Sequence, residues 1–362
     1  MTAILTGLVS LLVFGVVILV HEWGHFWAAR HCGIRVEEFS IGFGPKLWAW
    51  ERGGTRYTLR LIPLGGYNLF STPPEPDENG EVALPVQPPR KRGLFPVVVQ
   101  GQEFEQAGAW QRFFVTLWGA VMNFLLGFVV LVVLVCSMAN LGGTQVVQFV
   151  DGASSNATGL QLQDTIVMVD GQRVRTANSL AQHFDGTARS HTMSVLRDGK
   201  LVQLDQVTVA PTTDEEGRVT SGVDFRVAAV PKTVHNVLVQ TGEYFSYYST
   251  AILGGFWQLA TGKVGVDQLS GPIGTVSAVR QAVQYGWRDV LSLMALLTIN
   301  VGIFNLLPVP ALDGCKLLFL LFEALTGRAV PQKFQIAVNT VGMVLLLWLM
   351  LLVTMQDITR IF

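Results

Sequence analysis

The sequence predicts a polytopic α-helical membrane protein: about four transmembrane helices, a cytosolic membrane-associated β-hairpin region and one extracytoplasmic α+β domain. Three observations predict it. Half of the 362 residues are hydrophobic and only 14% are charged, well under the roughly 25% of a soluble domain. Residues 3–20, 113–138, 290–310 and 338–355 contain no Asp, Glu, Lys or Arg, and each run is long enough to cross about 30 Å of hydrocarbon. Residues 143–211 instead alternate short apolar runs with turns, a strand pattern.

The first span carries chemistry. It runs directly into His21-Glu22-Trp23-Gly24-His25. A His-Glu-x-x-His on a helix puts both imidazoles on one face, where they can share a zinc ion, and Glu22 can deprotonate a water activated by that metal. Ionisable residues within a span are functional by default. The N-terminal run has no basic leader and meets this motif where a signal peptide would have small residues, so we read it as retained.

Lys and Arg set the orientation. None precedes Arg30, ten lie between Arg30 and Arg112, and Lys316, Arg328 and Lys333 lie between spans three and four. The expected topology has the N-terminus and large domain outside, the first loop and the short loop inside. Eighteen residues separate Ala3 from His21, about 27 Å at a rise of roughly 1.5 Å. The motif is therefore expected near the cytosolic face of the membrane.

The spacing divides the chain into span one (1–30), a β-loop region (31–70), a cytosolic insertion (71–110), span two (111–139), the α+β domain (143–211), interfacial helices (212–285), span three (287–310), a cytosolic loop (311–337) and span four (338–356). In the β-loop region, strands are expected at 36–41 and 55–62, broken at Gly42-Phe43-Gly44-Pro45 and Pro63-Leu64-Gly65-Gly66. Such a hairpin can offer an edge to an extended peptide. The insertion is rich in Pro, Glu and Gln, and its Arg90-Lys91-Arg92 run suits a lipid headgroup. In the α+β domain, strands are expected at 146–150, 165–169, 192–197 and 203–209, with a short helix at 178–184. Tyr244, Phe245, Tyr247, Tyr248, Phe256 and Trp257 suit helices lying in the interface. The net charge of −1 argues against nucleic acid, and Cys32, Cys136 and Cys315 have no paired spacing.

A catalytic zinc usually takes three protein ligands. The candidate for the third is Asp313, in Asn305-Leu306-Leu307-Pro308-Val309-Pro310-Ala311-Leu312-Asp313-Gly314. Two prolines and a glycine must break the helix there, and broken helices at membrane depth line polar cavities. The topology sets Asp313 at the level of His21.

The two motifs together resemble the site-2 protease family of intramembrane zinc metalloproteases. Phe39-Ser40-Ile41-Gly42-Phe43-Gly44-Pro45 and a PDZ-like Gly159-Leu160-Gln161-Leu162-Gln163-Asp164 with Val169-Asp170-Gly171 resemble its regulator-of-sigma-E branch. The resemblance implies one Zn2+ held by His21, His25 and Asp313, with Glu22 as general base and then proton donor. It implies that Asn300 and Asn305, with Gly42, Phe43 and Gly44, hold the substrate strand. A single PDZ domain, with Gly159, Leu160 and Gln161 in its peptide groove, would bind a peptide or chain terminus. Substrates would be single-span membrane proteins such as anti-sigma factors or remnant signal peptides. Gly119-Ala120-Val121-Met122-Asn123-Phe124 departs from a family motif that has proline after its glycine. Two other readings fit the residues: a membrane-anchored quality-control protease at the cytosolic face, and a catalytically silent PDZ scaffold.

Overall fold

The computed structural model describes residues 2–70, 102–213, 219–265 and 269–361. In chain order it contains α1 (Thr2–His31), β1 (Val36–Arg52), β2 (Thr55–Phe70), α2 (Ala109–Ser137), β3 (Leu141–Phe149), α3 (Ser154–Ala157), β4 (Thr165–Val169) and β5 (Gln172–Arg173). There follow α4 (Ala177–Ala181), β6 (Arg189–Arg197), β7 (Lys200–Val209), β8 (Thr212–Thr213), β9 (Val219–Ser221), β10 (Phe225–Val230) and α5 (Val234–Ala260). The chain ends in α6 (Pro272–Tyr285), α7 (Trp287–Phe304), α8 (Asp313–Thr326) and α9 (Gln332–Ile361). Two compact units result, residues 1–127 with 252–362, and residues 128–251.

Among the described residues, four helices are long and apolar enough to cross a membrane: Ile4–His31, Ala109–Ser137, Trp287–Phe304 and Gln332–Arg360. Each overlaps one of the four uncharged runs, because span length is set by the thickness of the hydrocarbon; the third stops at Phe304, short of the expected 310. On α9, Leu345, Leu347, Trp348, Met350 and Leu351 are exposed, as suits a helix solvated by lipid.

The first unit holds a small sheet formed by β1 and β2. Residues 46–52 pair antiparallel with 55–60, while 36–41 pair with 66–70 and also lie beside 56–59. Each long strand therefore contributes two segments, in the order 66–70, 36–41, 55–60, 46–52. The expected breaks at Gly42–Pro45 and 63–66 are bends through which the strands continue: Gly42 (φ +87°), Gly44 (φ +82°) and Gly65 (φ +114°) take backbone conformations open to glycine. Arg60 ties the segments together. It donates to Ser40 Oγ at 2.9 Å, Gly44 O at 2.8 Å and Glu38 Oε1 at 2.8 Å.

Three expected boundaries are corrected. The loop at 311–337 contains α8, whose Cys315, Leu317 and Leu320 form a buried stripe. Residues 102–108 do not form an insertion: Ile34 pairs with Gln102, and α2 already begins at Ala109. The remainder of the expected insertion, with Arg90-Lys91-Arg92, lies outside the described residues. The segment 212–285, expected as interfacial helices, begins with β8, β9 and β10 before α5 and α6.

In the second unit the sheet order is β10-β3-β4-β6-β7, with β5 on β4. The expected domain end at 211 cuts this sheet short, since β10 pairs antiparallel with β3, Phe225 opposite Phe149. The core gathers Val146, Leu160, Ile166, Val169, Met193, Val195 and Val207, all fully buried. Helix α4 starts at a capping box, with Thr176 and Ser179 exchanging side-chain and backbone bonds. Asp164 has no exposed side-chain surface. It is clamped by Arg197, Nε to Oδ1 at 2.8 Å and Nη2 to Oδ2 at 2.7 Å. Asp164→Ala strands a half-buried guanidinium and is expected to cost about 3 kcal/mol. Hydrogen exchange of β4 and β6 amides in the full-length protein should quicken by about 100-fold. Unchanged exchange would show the pair to be dispensable.

Candidate metal centre and active site

His21, Glu22 and His25 lie in the last third of α1, one helical turn apart, so both imidazoles project from one face. The rings meet edge to face, with centroids 4.7 Å apart. His25 Nδ1 lies 2.9 Å from the Val115 carbonyl of α2. That acceptor makes Nδ1 the protonated nitrogen and leaves Nε2 with a free lone pair. His21 Nδ1 lies 3.3 Å from the Asn123 amide, also on α2. Asn123 is fully buried, and its Oδ1 has no partner elsewhere. As placed, Nδ2 faces the ring and Nδ1 accepts; with the amide turned over, Oδ1 accepts from an Nδ1–H and Nε2 is freed for a metal.

Three acceptor atoms then converge. The two Nε2 atoms are 3.2 Å apart. Asp313 Oδ2 is 3.2 Å from His21 Nε2 and 3.1 Å from His25 Nε2. Lone pairs this close repel unless a cation sits among them. The triangle suits a tetrahedral zinc ion, whose ligand–ligand edges are about 3.3 Å for bonds near 2.0–2.1 Å. This is the one group of three such side chains among the described residues able to hold a metal. Two histidines and a carboxylate also leave a fourth position open for water or substrate.

The chain builds Asp313 into place with a packed corner. Helix α7 ends at Phe304, and Pro308 and Pro310 prevent its resumption. Ala311 sits at φ +71°, a left-handed conformation unusual for alanine. Its N–H donates to Asn339 Oδ1 of α9 at 3.3 Å. A Cβ at Gly342 of α9 would strike Pro310, and one at Gly314 would strike the Leu307 carbonyl. Asp313 then opens α8 in its first turn. Asp313→Asn keeps the shape but loses the anionic ligand. Losing an outer partner of a zinc ligand already costs about 10- to 100-fold in affinity, so more than about 100-fold is expected here. Competition with a chromophoric chelator measures it; unchanged affinity would remove Asp313 from the centre.

Glycines bring α2 to the histidines. A Cβ at Gly24 would lie 2.6 Å from Trp118 O and 3.0 Å from Gly119 Cα. One at Gly119 would lie 2.9 Å from His21 Cε1 and closer still to His25. The two helices therefore touch backbone to backbone, as small residues permit within membranes. Glu22 faces β2, where Asn68 Nδ2 donates to its Oε2 at 2.8 Å.

Among the described residues, the other expected site residues make no hydrogen bond to this cluster. Asn305 caps α7 and donates to Val301 O at 3.0 Å. Asn300 lies one turn earlier on α7, half-buried, and its amide makes no hydrogen bond among the described residues. Phe43, between Gly42 and Gly44, is exposed and stacks on Tyr67. In the second unit, Leu160 is fully buried in the core. The N–H groups of Gly159, Leu160 and Gln161 already donate to Asn156 O, Ser155 O and Asp164 Oδ2, and the Gly159 carbonyl accepts from Arg197. These three N–H groups and the Gly159 carbonyl therefore have partners inside the fold. Asn68, Gly24 and Gly119 were not foreseen as parts of the site. Asn123 carried a signal, an amide inside an uncharged span.

The profile of peptidase family M50 matches residues 9–349. The zinc metalloprotease RasP of Shouchella clausii is 31% identical over 424 residues, covering 99% of this chain and 99% of that protein. A Fusobacterium nucleatum protein provisionally named a zinc metalloprotease is 30% identical over 363 residues, covering 99% of this chain and all of that one. A Clostridium perfringens protein with the same provisional name is 30% identical over 351 residues, covering 96% and 97%. Likeness that runs the whole length of the chain and takes in both halves of the metal centre settles its kinship: the chain belongs to peptidase family M50, the site-2 proteases, and is a zinc metalloprotease.

Proposed function

We propose that this membrane protease cuts the transmembrane segments of single-span membrane proteins, among them anti-sigma factors or remnant signal peptides. One observation carries the reading. His21, Glu22 and His25 lie within Ile4–His31, a helix long and apolar enough to cross a membrane, so the water-consuming chemistry sits where lipid-embedded peptides can reach it. Zn2+ is the cofactor, and when held by His21, His25 and Asp313 it polarises the scissile carbonyl and makes a water more acidic. Val115 fixes the tautomer of His25, and Asn123 contacts the His21 ring. Glu22 takes the proton of the attacking water and returns it to the leaving amine.

A substrate helix must unwind before its amides can be cut, and its freed backbone groups then need partners. The margin at residues 66–70 runs beside Glu22 and, among the described residues, pairs with no strand but 36–41. We assign it the substrate strand by edge addition, with Gly42, Phe43 and Gly44 bracing the bend and Asn300 and Asn305 contacting the substrate from α7. The second unit is proposed to be a single PDZ domain outside the membrane, binding a peptide or chain terminus and screening substrates. The Lys and Arg distribution supports an outside N-terminus and a catalytic centre near the cytosolic face.

The test reconstitutes the full-length protein in vesicles with a tagged single-span substrate and maps the new termini by mass spectrometry. A cut inside the apolar span, abolished by a zinc chelator and restored by Zn2+, is expected. Cleavage of casein or of soluble flanks, with the span left whole, would overturn the reading in favour of a surface quality-control protease. Absence of any cleavage would favour a scaffold.

A further inference from the structure

We propose that Asn68 is a positioning residue for Glu22, fixing which carboxylate oxygen faces the reacting water. The proposal rests on Glu22 being the general base. Asn68 Nδ2 lies 2.9 Å from the Glu22 backbone oxygen and 2.8 Å from Glu22 Oε2. Both are acceptors, so the amide can take only the orientation with nitrogen toward them. One donor group thus grips the backbone and the side chain of the same residue, which restrains the carboxylate torsions. No second donor among the described residues reaches the carboxylate. Oε2 is engaged by Asn68, and Oε1 is left to receive a proton.

The strand is shaped for this contact. Alternate residues of an extended segment share a face, so Gly66 and Asn68 both turn toward α1. A Cβ at Gly66 would lie 2.9 Å from Glu22 Cγ and 2.9 Å from Ser40 O. Glycine there lets the strand approach, and Asn68 two residues on then reaches the carboxylate. Among the described residues, Asn68 Oδ1 is buried without a hydrogen-bond partner, so within them its amide is anchored through Glu22 alone. An unmet buried acceptor costs about 1–3 kcal/mol. A leucine would make a better-packed strand, so stability does not account for an asparagine here. Asn68 lies on the same margin assigned to the substrate, so a shift of that margin carries the base with it.

The test compares full-length Asn68→Leu, Asn68→Asp and Asn68→Gln with wild type and Glu22→Gln, on a single-span substrate, with zinc content measured in each. Asn68→Leu is expected to lower kcat about 10-fold, with KM within about twofold and zinc unchanged. Asn68→Asp sets a like charge against Glu22 and should lose more. Asn68→Gln keeps the donor and should recover part of the rate. A wild-type kcat in Asn68→Leu beside an inactive Glu22→Gln would overturn the positioning role alone. So would a loss of zinc or a rise in KM that tracks the loss of kcat. Should the leucine variant fail to fold, Asp and Gln at equal rates would overturn it. An active Glu22→Gln would overturn the assignment of the base, and this proposal with it.

Discussion

Glu22→Gln is expected to lower kcat by about 10³-fold while the protein keeps its zinc. General-base catalysis contributes about 10²- to 10⁴-fold, and among the described residues no other carboxylate belongs to the cluster besides Asp313, whose Oδ2 faces both imidazoles. Gln matches Glu in size, and its carbonyl can still accept from Asn68. The helix, the histidines and Asp313 therefore stay in place, and only the proton acceptor is lost. Zinc analysis and the cleavage rate of a single-span substrate, measured on one preparation, separate the two effects. Cleavage at the wild-type rate would remove Glu22 from the reaction. Loss of zinc with loss of rate would make Glu22 a structural support of the metal centre.

The spans and the paired histidines were legible because each is a local property. An uncharged run of membrane length needs no knowledge of what it touches, and two histidines one turn apart share a face on any helix. Asp313 was reachable by a longer route, since two prolines break α7 and the topology expected from Lys and Arg sets the break at the depth of His21. Helix α8 was not legible. Its 14 residues are too few to span, and a short apolar run beside a turn motif reads equally well as loop or helix. β10 was missed because its partner β3 lies far back in the chain, and strand pairing at a distance leaves no local pattern. Asn68 and Asn123 act across 46 and 102 residues. Each looks locally like a lone amide, and only folding shows which atom it serves.

Gly119→Val is expected to leave the protein folded in the membrane but without zinc or activity. The argument is one of space. A Cβ at residue 119 falls within van der Waals contact of both imidazoles, 2.9 Å from His21 Cε1, so a side chain there occupies the volume the two rings need. Retreat of α2 would relieve the clash, but α2 also supplies the Val115 carbonyl that holds the His25 tautomer and the Asn123 amide that contacts His21. Either response disorders the ligands. Gly119→Ala, a single methyl, demands a shift of about 1 Å, and misplacement by that much costs about 100-fold in rate. Gly15 gives the control, because a Cβ there meets nothing within 4 Å. Gly15→Ala should keep full zinc and full rate in the same membrane helix whose histidines Gly119→Val disables. Zinc retained at one equivalent in Gly119→Val would show that α2 can back away without disturbing the ligands, and the close contact of the two helices would lose its catalytic meaning.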